Sequence, residues 1–126
     1  MTDPVFIFRD LVESLHRRSL TEHGGQDGVR DVHALESALA QPMQVFHYGQ
    51  GDLFDIAAAY AFHLAENQPF IDGNKRTAIT TALLFLELNG ISTSSLANTQ
   101  LYDAMIDISR RQLDKVGLAA IFRGHN

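Results

Sequence analysis

The 126-residue sequence contains no cysteine. The chain can therefore build neither a disulfide framework nor a thiolate nucleophile, and a reducing compartment is permitted. No apolar run reaches the ~18 residues that a membrane-spanning helix needs, and the N-terminus lacks the basic start and apolar stretch of a signal peptide. We expect a cytoplasmic protein that has no membrane partner.

A basic excess is also missing, since the formal net charge is −5. Domains that bind nucleic acid usually carry clustered positive charge, so DNA and RNA are not expected partners. Hydrophobic residues make up 45% of the chain and charged residues 20%, which is typical of a folded protein without a long disordered tail. The length predicts one domain that covers residues 1–126.

Apolar residues recur at helical spacing along most of the chain. A first helix is expected from about Phe8 until the pair Gly24-Gly25 ends it. Asp31 is the expected N-cap of a short second helix that Pro42 closes, followed by an irregular stretch in which Phe46 and Tyr48 pack a loop onto the body. Two amphipathic helices, at 101–110 and 114–123, complete the chain.

Between these outer elements lie two segments that are apolar on nearly all sides. One runs from the N-cap Asp52 to about Asn67, and the other from near Asn74 to Asn89-Gly90. A helix that is apolar all round must be buried all round, and the linker 68–73 is short. The sequence therefore predicts an all-α fold of about six helices with a central buried helical hairpin.

The junction of this hairpin carries the polar run Asp72-Gly73-Asn74-Lys75-Arg76. Gly73 allows a close backbone approach, Asn74 can cap the helix, and the first-turn N–H groups attract an anion. Lys75 and Arg76 stand where cations disfavour a helix, which a bound phosphate explains. Asp72 is a candidate ligand for the Mg²⁺ that accompanies a nucleoside triphosphate. The alternative is an ordinary helix start with solvated side chains.

The segment Gln68-Pro-Phe-Ile-Asp-Gly-Asn-Lys-Arg76 resembles the signature of the Fic/Doc family, His-x-Phe-x-Asp/Glu-Gly/Ala-Asn-Gly/Lys-Arg, at every position except the first. Upstream, His16, Gly24-Gly25, the run 28–31 and the run 35–38 are similar to the N-terminal half of death-on-curing proteins. The resemblance covers about residues 10–90. It implies a Fic/Doc-type helical domain whose motif loop and following helix hold ATP.

What the resemblance implies is a toxin of a toxin–antitoxin module that moves part of a nucleotide onto a protein hydroxyl. Asp72 would bind Mg²⁺, Gly73, Asn74, Lys75 and Arg76 would contact phosphates, and Phe70 would anchor the loop. Adenylylating members carry a second Arg where this chain has Ile79, and usually Gly where it has Lys75. The chain thus resembles the Doc branch, which favours phosphorylation of a Ser or Thr, as on a translation factor, over adenylylation.

Gln68 departs from the family, because the motif His serves there as the base for the attacking hydroxyl. An amide is scarcely basic, and losing a general base typically costs ~10²–10⁴ in rate. Phosphoryl transfer depends mainly on positioning and charge neutralisation, so Gln68 could still orient the hydroxyl. The sequence is compatible both with an enzyme that naturally bears Gln68 and with a substitution that disarms a toxin. The alternative function is a catalytically weak or inactive Fic-fold module that binds nucleotide or protein, and the motif favours the enzyme over this module.

The remaining histidines give no competing site. His63, on the polar stripe of the first buried segment, is expected to be structural or solvated, and His16, His23, His33 and His47 lack the spacing of zinc ligands. The family resemblance further implies a small antitoxin whose disordered tail folds as a helix in a groove of the toxin. The expected partners are this antitoxin and a protein substrate.

Overall fold

A computed structural model describes residues 3–124; the predicted domain also includes residues 1, 2, 125 and 126, which lie outside the described residues. Within 3–124 the chain forms six α-helices and no regular strand. The predicted all-α class and helix number are confirmed. The helices are α1 Arg9–His23, α2 Val32–His47, α3 Leu53–Asn67, α4 Asn74–Leu88, α5 Asn98–Ser109 and α6 Lys115–Arg123. Each helix in this part of the chain is too short or too polar to cross a lipid bilayer.

The helical hairpin formed by α3 and α4 is the centre of the molecule, as the sequence predicts. The run 56–61 of α3 is at most 1% exposed, because α2, α4, α5 and α6 all pack against this helix. The small alanines of that run let the neighbouring helices approach closely. Asp52 caps α3 through a reciprocal pair of hydrogen bonds with Asp55, both 2.9 Å long. Burial of α3 and α4 fixes the loop between them against the core.

The second helix is longer than the sequence predicts. It continues through Pro42 to His47, so the predictions of a stop at Pro42 and of a loop packed by Phe46 and Tyr48 are wrong. An interior proline removes one backbone hydrogen bond and typically costs ~3 kcal/mol. Here Pro42 is itself buried, and Phe46 packs against the core from inside the helix, with its ring 5.9 Å from that of Phe6. Tyr48 is 86% exposed, so its side chain does not pack against the core.

The extended segment before α1 is held by two side chains from the central hairpin. The Tyr60 hydroxyl accepts a hydrogen bond from Ile7 N at 2.8 Å and donates one to Ile7 O at 3.0 Å. Asn89 does the same for Val5, accepting at 2.7 Å and donating at 2.9 Å. Burial raises the pKa of Tyr60 to about 12. The backbone N–H and C=O groups of Val5 and Ile7 are therefore hydrogen-bonded to side chains, where a β-strand would bond to a neighbouring strand.

The last helix closes the fold through an ion pair with the start of α3. Arg123 donates to Asp52 Oδ2 at 3.0 Å and to Asp55 Oδ1 at 2.9 Å, with its guanidinium over the Phe54 ring. Burial acts to raise the pKa of Asp52, but hydrogen bonds from the Asp55 N–H and from Arg123 hold that pKa below its ordinary value. Asp114 caps α6 by accepting from Gly117 N at 2.8 Å. The two predicted C-terminal helices are thus confirmed, with α5 beginning three residues earlier, at Asn98 instead of Leu101.

Candidate functional site

The loop between α3 and α4 is anchored by Phe70. This side chain is 1% exposed, in keeping with the anchoring role that the sequence resemblance implies. Pro69 beside it is also buried, whereas Gln68, Ile71 and Asp72 are exposed. The middle of the loop is therefore fixed to the core, whereas the residues on either side of it face outward, where a ligand can reach them.

Asn74 holds the loop from within and is not the helix cap that the sequence suggests. The N-cap residue of α4 is Gly73, in the left-handed region at φ 78°, and it makes no side-chain capping bond. Asn74 is the first helical residue. Its Oδ1 accepts from Phe70 N at 2.9 Å, and its Nδ2 donates to Phe70 O at 2.9 Å. The amide bends the loop back on itself and leaves the first turn of α4 uncapped.

The Asp72 carboxylate lies between the loop and the segment that joins α1 to α2. Its Oδ1 accepts from Gly73 N at 2.9 Å, and its Oδ2 accepts from Gln26 N at 3.3 Å. A Cβ placed on Gly25 would come within 3.0 Å of Asp72 Oδ2, so the two segments are in close contact there. Each carboxylate oxygen carries one hydrogen bond and retains a lone pair for a cation.

The first turn of α4 presents its own donors. The first N–H bonded inside the helix is that of Thr77, to Gly73 O at 3.0 Å, so those of Asn74, Lys75 and Arg76 have no acceptor within α4. Arg76 is exposed and reaches towards α5, with its Cζ 5.9 Å from the centre of the Tyr102 ring. Lys75 is half-buried on the same turn. The structure thus brings the predicted cations and free amides together at one helix end.

Arg76 also lines a cavity of about 640 Å³ between α1, α4 and α5. This volume lies within the ~300–1,000 Å³ range of small-molecule sites. The wall mixes apolar, hydroxyl and charged side chains: Leu15, Arg18, Ser19, Glu22, His23, Arg76, Ile79, Thr80, Asn98, Thr99, Tyr102 and Asp103. Sequence reasoning missed the contribution of α5, because Tyr102 lies far along the chain from the motif and carries no local signal.

Gln68 lies in the left-handed region, with φ 46° and ψ 57°, at the C-cap of α3. Arg30 supports this conformation, since its Nε donates to Gln68 O at 2.9 Å and its Nη2 to Asn67 O at 3.1 Å. The backbone of the same segment adds an isolated β-bridge between Val29 and Phe70. Sequence reasoning assigned no role to Arg30 and did not predict this pairing, which joins segments about 40 residues apart.

His16 is a second contact that the sequence analysis did not assign. It belongs to α1, is 2% exposed, and reaches the carbonyl oxygen of Asp72 with Nε2 at 2.8 Å. A signal existed, because His16 falls four residues after Val12 on the buried face of α1, where an apolar residue is the norm.

Asp72 can serve as a single carboxylate ligand for Mg²⁺. Within residues 3–124 no three His, Cys, Asp or Glu side chains cluster closely enough to form an all-protein metal site. Mg²⁺ is commonly held by one or two carboxylates, with phosphate oxygens and water completing the shell. An exposed carboxylate beside unpaired helix N–H groups fits that arrangement and does not fit a closed metal cage.

His63 is engaged elsewhere in the fold. Its Nε2 lies 3.1 Å from Nζ of Lys115 in α6. Burial, together with the positive charge of Lys115, lowers the pKa of His63 to about 4. The imidazole is therefore neutral near pH 7 and accepts a hydrogen bond from the ammonium group, which is a structural arrangement.

Comparison with known proteins identifies the family. The family described as "Fic/DOC family" matches residues 6–86, well over half of the chain. The chain belongs to the Fic/Doc family. It is 37% identical over 105 residues to the "Toxin Doc" of Mycolicibacterium smegmatis, covering 80% of each chain. It is also 35% identical over 79 residues to the "Protein kinase doc" of Escherichia phage P1, covering 62% of this chain and 63% of that protein.

The family match places the motif loop and all of α3 inside the shared region, whereas α5 and α6 lie beyond residue 86. The Fic/Doc core thus supplies Asp72, Asn74, Lys75 and Arg76. The part of the cavity wall that carries Tyr102 comes from outside the matched segment.

Proposed function

We propose that this Fic/Doc protein is a Doc-like toxin that transfers the γ-phosphoryl group of ATP to a Ser or Thr hydroxyl of a cellular protein. The proposal rests chiefly on the first turn of α4, where three backbone N–H groups have no acceptor within the helix and Arg76 lines a ligand-sized cavity. The similarity to a protein named "Protein kinase doc" favours phosphorylation. A translation factor is the proposed target.

Each motif residue has a role in this proposal. Arg76 binds phosphate oxygens through its planar guanidinium, Lys75 adds a mobile charge, and the α4 N–H groups complete the cradle. Gly73 brings the backbone close, while Phe70 and Asn74 keep the loop in place. Mg²⁺, held by Asp72, would neutralise charge on the β- and γ-phosphates.

Gln68 orients the acceptor in this scheme. Its amide oxygen accepts a hydrogen bond from the incoming hydroxyl, whose oxygen forms the new bond to phosphorus as the bond to the β-phosphate oxygen breaks and ADP leaves. Because the amide is not basic, the hydroxyl proton passes to a phosphoryl oxygen or to water. Transfer by this chain should be slow compared with that of a relative bearing His at this position.

A labelling experiment tests the proposal. The purified protein is incubated with a cell lysate and Mg²⁺, together with ATP labelled in either the γ- or the α-phosphate. We expect a protein band labelled only by γ-labelled ATP, and its loss in Arg76→Ala. Arg17→Ala, which removes another exposed helical arginine outside the cavity, is the matched control. Labelling from the α-phosphate alone would instead show adenylylation.

A second candidate function is a binding module without catalysis, and Gln68 is the observation that favours it. Such a module predicts that ATP raises the melting temperature while neither label is ever transferred. If the parent is inactive and Gln68→His restores no transfer, the enzyme proposal fails and the binding module remains.

We further propose that a small antitoxin holds this protein. The groove between α1, α4 and α5 offers Leu15, Ile79 and Tyr102 beside charged residues, which suits an amphipathic helix folded from a disordered tail. A small reading frame directly upstream of the gene would supply the candidate. Co-expression should give a stable complex that Tyr102→Asp disrupts, whereas Val116→Asp, at another exposed apolar position that does not line the groove, leaves it intact.

A further inference from the structure

His16 is a polar side chain that is only 2% exposed and contacts the motif loop. Its single hydrogen bond within the described residues joins Nε2 to Asp72 O at 2.8 Å, because Asp27 Oδ1 lies 3.9 Å from Nδ1, beyond hydrogen-bond range. A carbonyl oxygen can only accept, so Nε2 carries the proton and donates it. The tautomer of the ring is thereby fixed by the motif itself.

The His16 ring also packs on the loop over its whole face. It stacks on Phe70 with ring centres 3.9 Å apart and an angle of 9° between the planes. Gly73 lies beside the ring, where an added Cβ would sit 3.7 Å from His16 Cδ2 and from His16 Nε2. One side chain of α1 thus contacts the loop at the residue that anchors it, at the candidate metal ligand and at the N-cap glycine of α4.

We propose that His16 is a positioning residue for the nucleotide site: its Nε2–H fixes the Asp72 peptide, which sets the direction of the Asp72 carboxylate and of the first turn of α4. The inference rests on the proposed function, since it concerns the residues said there to bind Mg²⁺ and phosphate. His16 itself touches neither the nucleotide nor the acceptor. It acts through the backbone of Asp72 and Gly73.

The physical reason is that the hydrogen bond from His16 lies close to the groups that would bind Mg²⁺ and phosphate. The Asp72 carbonyl belongs to the same peptide group as the Gly73 N–H, which donates a hydrogen bond to Asp72 Oδ1. Gly73 has φ 78° and no side chain to resist rotation, so the hydrogen bond from His16 adds a restraint that the glycine itself does not supply. A displacement of about 1 Å at a reacting centre can cost ~10²-fold in rate, so the restraint matters for binding and for transfer.

Two substitutions separate positioning from simple core packing. His16→Phe keeps an aromatic ring to stack on Phe70 but removes the donor, while His16→Gln keeps an N–H at similar reach but removes the ring. The melting temperatures of both variants are measured first, and binding is measured well below them. A merely structural histidine predicts that affinity for the nucleotide follows stability in both variants.

The affinity for ATP with Mg²⁺ is then compared by calorimetry. We expect His16→Phe to weaken binding by about tenfold, the scale of one lost hydrogen bond, and His16→Gln to stay within about threefold of the parent. Equal affinity of His16→Phe and the parent would overturn the inference. So would an equal loss in both variants, because the donor would then be irrelevant.

A ligand-free measurement keeps the inference separate from the proposed function. Amide hydrogen exchange is followed at Phe70, Ile71 and Gly73, whose N–H groups are bonded within the site, and at Phe85 in the core as a reference. We expect faster exchange at the three loop amides in His16→Phe, with protection regained in His16→Gln and no change at Phe85. Unchanged loop exchange in His16→Phe would refute positioning even if the parent binds ATP. If the parent binds no ATP, the proposed function fails, and the exchange result still decides the role of His16.

Discussion

At the scale of single residues, Gln68 is the position at which this chain departs from the signature that its motif resembles. Its backbone is held in the left-handed region by hydrogen bonds from Arg30 to the carbonyls at the end of α3. The peptide is thus fixed whatever side chain it carries. A histidine placed there should occupy the same position and supply the missing base.

Gln68→His is therefore expected to raise the rate of phosphoryl transfer by ~10²–10⁴. The measurement is the initial rate of γ-label incorporation into the protein target at saturating ATP. Gln68→Asn, a shorter amide without basicity, is the control and should not exceed the parent. An increase of the same size in both variants would argue against general-base rescue.

His63 provides a second residue-scale prediction. The pKa of its imidazole is about 4 because of burial and of the charge on Lys115, against 6.5 for an ordinary histidine. His63 therefore binds more protons in the unfolded chain than in the folded one between these values, so its contribution to folding stability is full above about pH 6.5 and is lost as pH falls towards 4.

The measurement is the titration of the His63 ring by NMR. We expect a midpoint near pH 4 in the parent and a higher one in Lys115→Met, which removes the charge and keeps the aliphatic stem. Lys75→Met, a charge loss on another helix, should leave the midpoint unchanged. An unshifted midpoint in Lys115→Met would assign the low pKa to burial alone.

At the scale of elements, α6 depends on a partly exposed charge network at the start of α3. Arg123 contacts Asp52 and Asp55, and Asp52 is also the cap of α3. Partly exposed pairs usually contribute ~0.2–1 kcal/mol, with more from networks than from isolated pairs. The charge network therefore couples a C-terminal helix to the N-terminus of the central one.

Arg123→Met should lower the free energy of unfolding by about 1 kcal/mol, and high salt should shrink the difference. Because the pKa of Asp52 is lowered in the folded state, its stabilisation is present above pH 3.8 and declines as pH falls below that value. The parent and the variant should thus converge in acid. Urea titrations at several pH values check this, with Arg110→Met, at the exposed end of α5, as the control.

The sequence predicts an element well when the interactions that define it are between residues close together in the chain. The caps Asp31 and Asp52 are local signals, and both were read correctly because a side chain bonds an amide three residues on. Pro42 was misread, since its cost is local but its compensation comes from burial against distant helices. Asn74 was misread for a similar reason: its amide satisfies Phe70 and not the helix end.

The residues of the candidate site also fall into two groups, those that a local motif predicts and those that only the folded chain brings in. Phe70, Asp72, Lys75 and Arg76 lie within seven consecutive residues, so their types and spacing already predict a phosphate site. His16, Arg30 and Tyr102 act on that site from α1, from the α1–α2 segment and from α5. Their partners are defined only by the packing of the whole chain, which no short motif encodes.

At the scale of the whole molecule, ligand binding and folding should be linked. The candidate site combines the loop between α3 and α4, the first turn of α4 and His16 of α1, so a nucleotide that binds there stabilises the folded chain and not the unfolded one. With ATP and Mg²⁺ at a hundredfold excess over Kd, the gain is ~2.7 kcal/mol, or a rise in Tm of about 10 °C.

Scanning calorimetry at rising ATP concentration measures this linkage. Arg76→Ala should show the same Tm as the parent without ligand but a much smaller rise with it, because the exposed guanidinium adds little to folding. Arg17→Ala should follow the parent. An identical rise in Arg76→Ala would place nucleotide binding somewhere other than the first turn of α4.

The hairpin also has an electrostatic consequence that concerns Arg30. The loop joins the carboxyl end of α3 to the amino end of α4. A partial negative charge therefore lies close to a partial positive one, and the repulsion of a phosphate by the first would offset its attraction by the second. By covering the carbonyls of Asn67 and Gln68, the Arg30 guanidinium masks the repulsive pole. Arg30 can thus favour phosphate binding at the N-terminus of α4 without contacting the nucleotide itself.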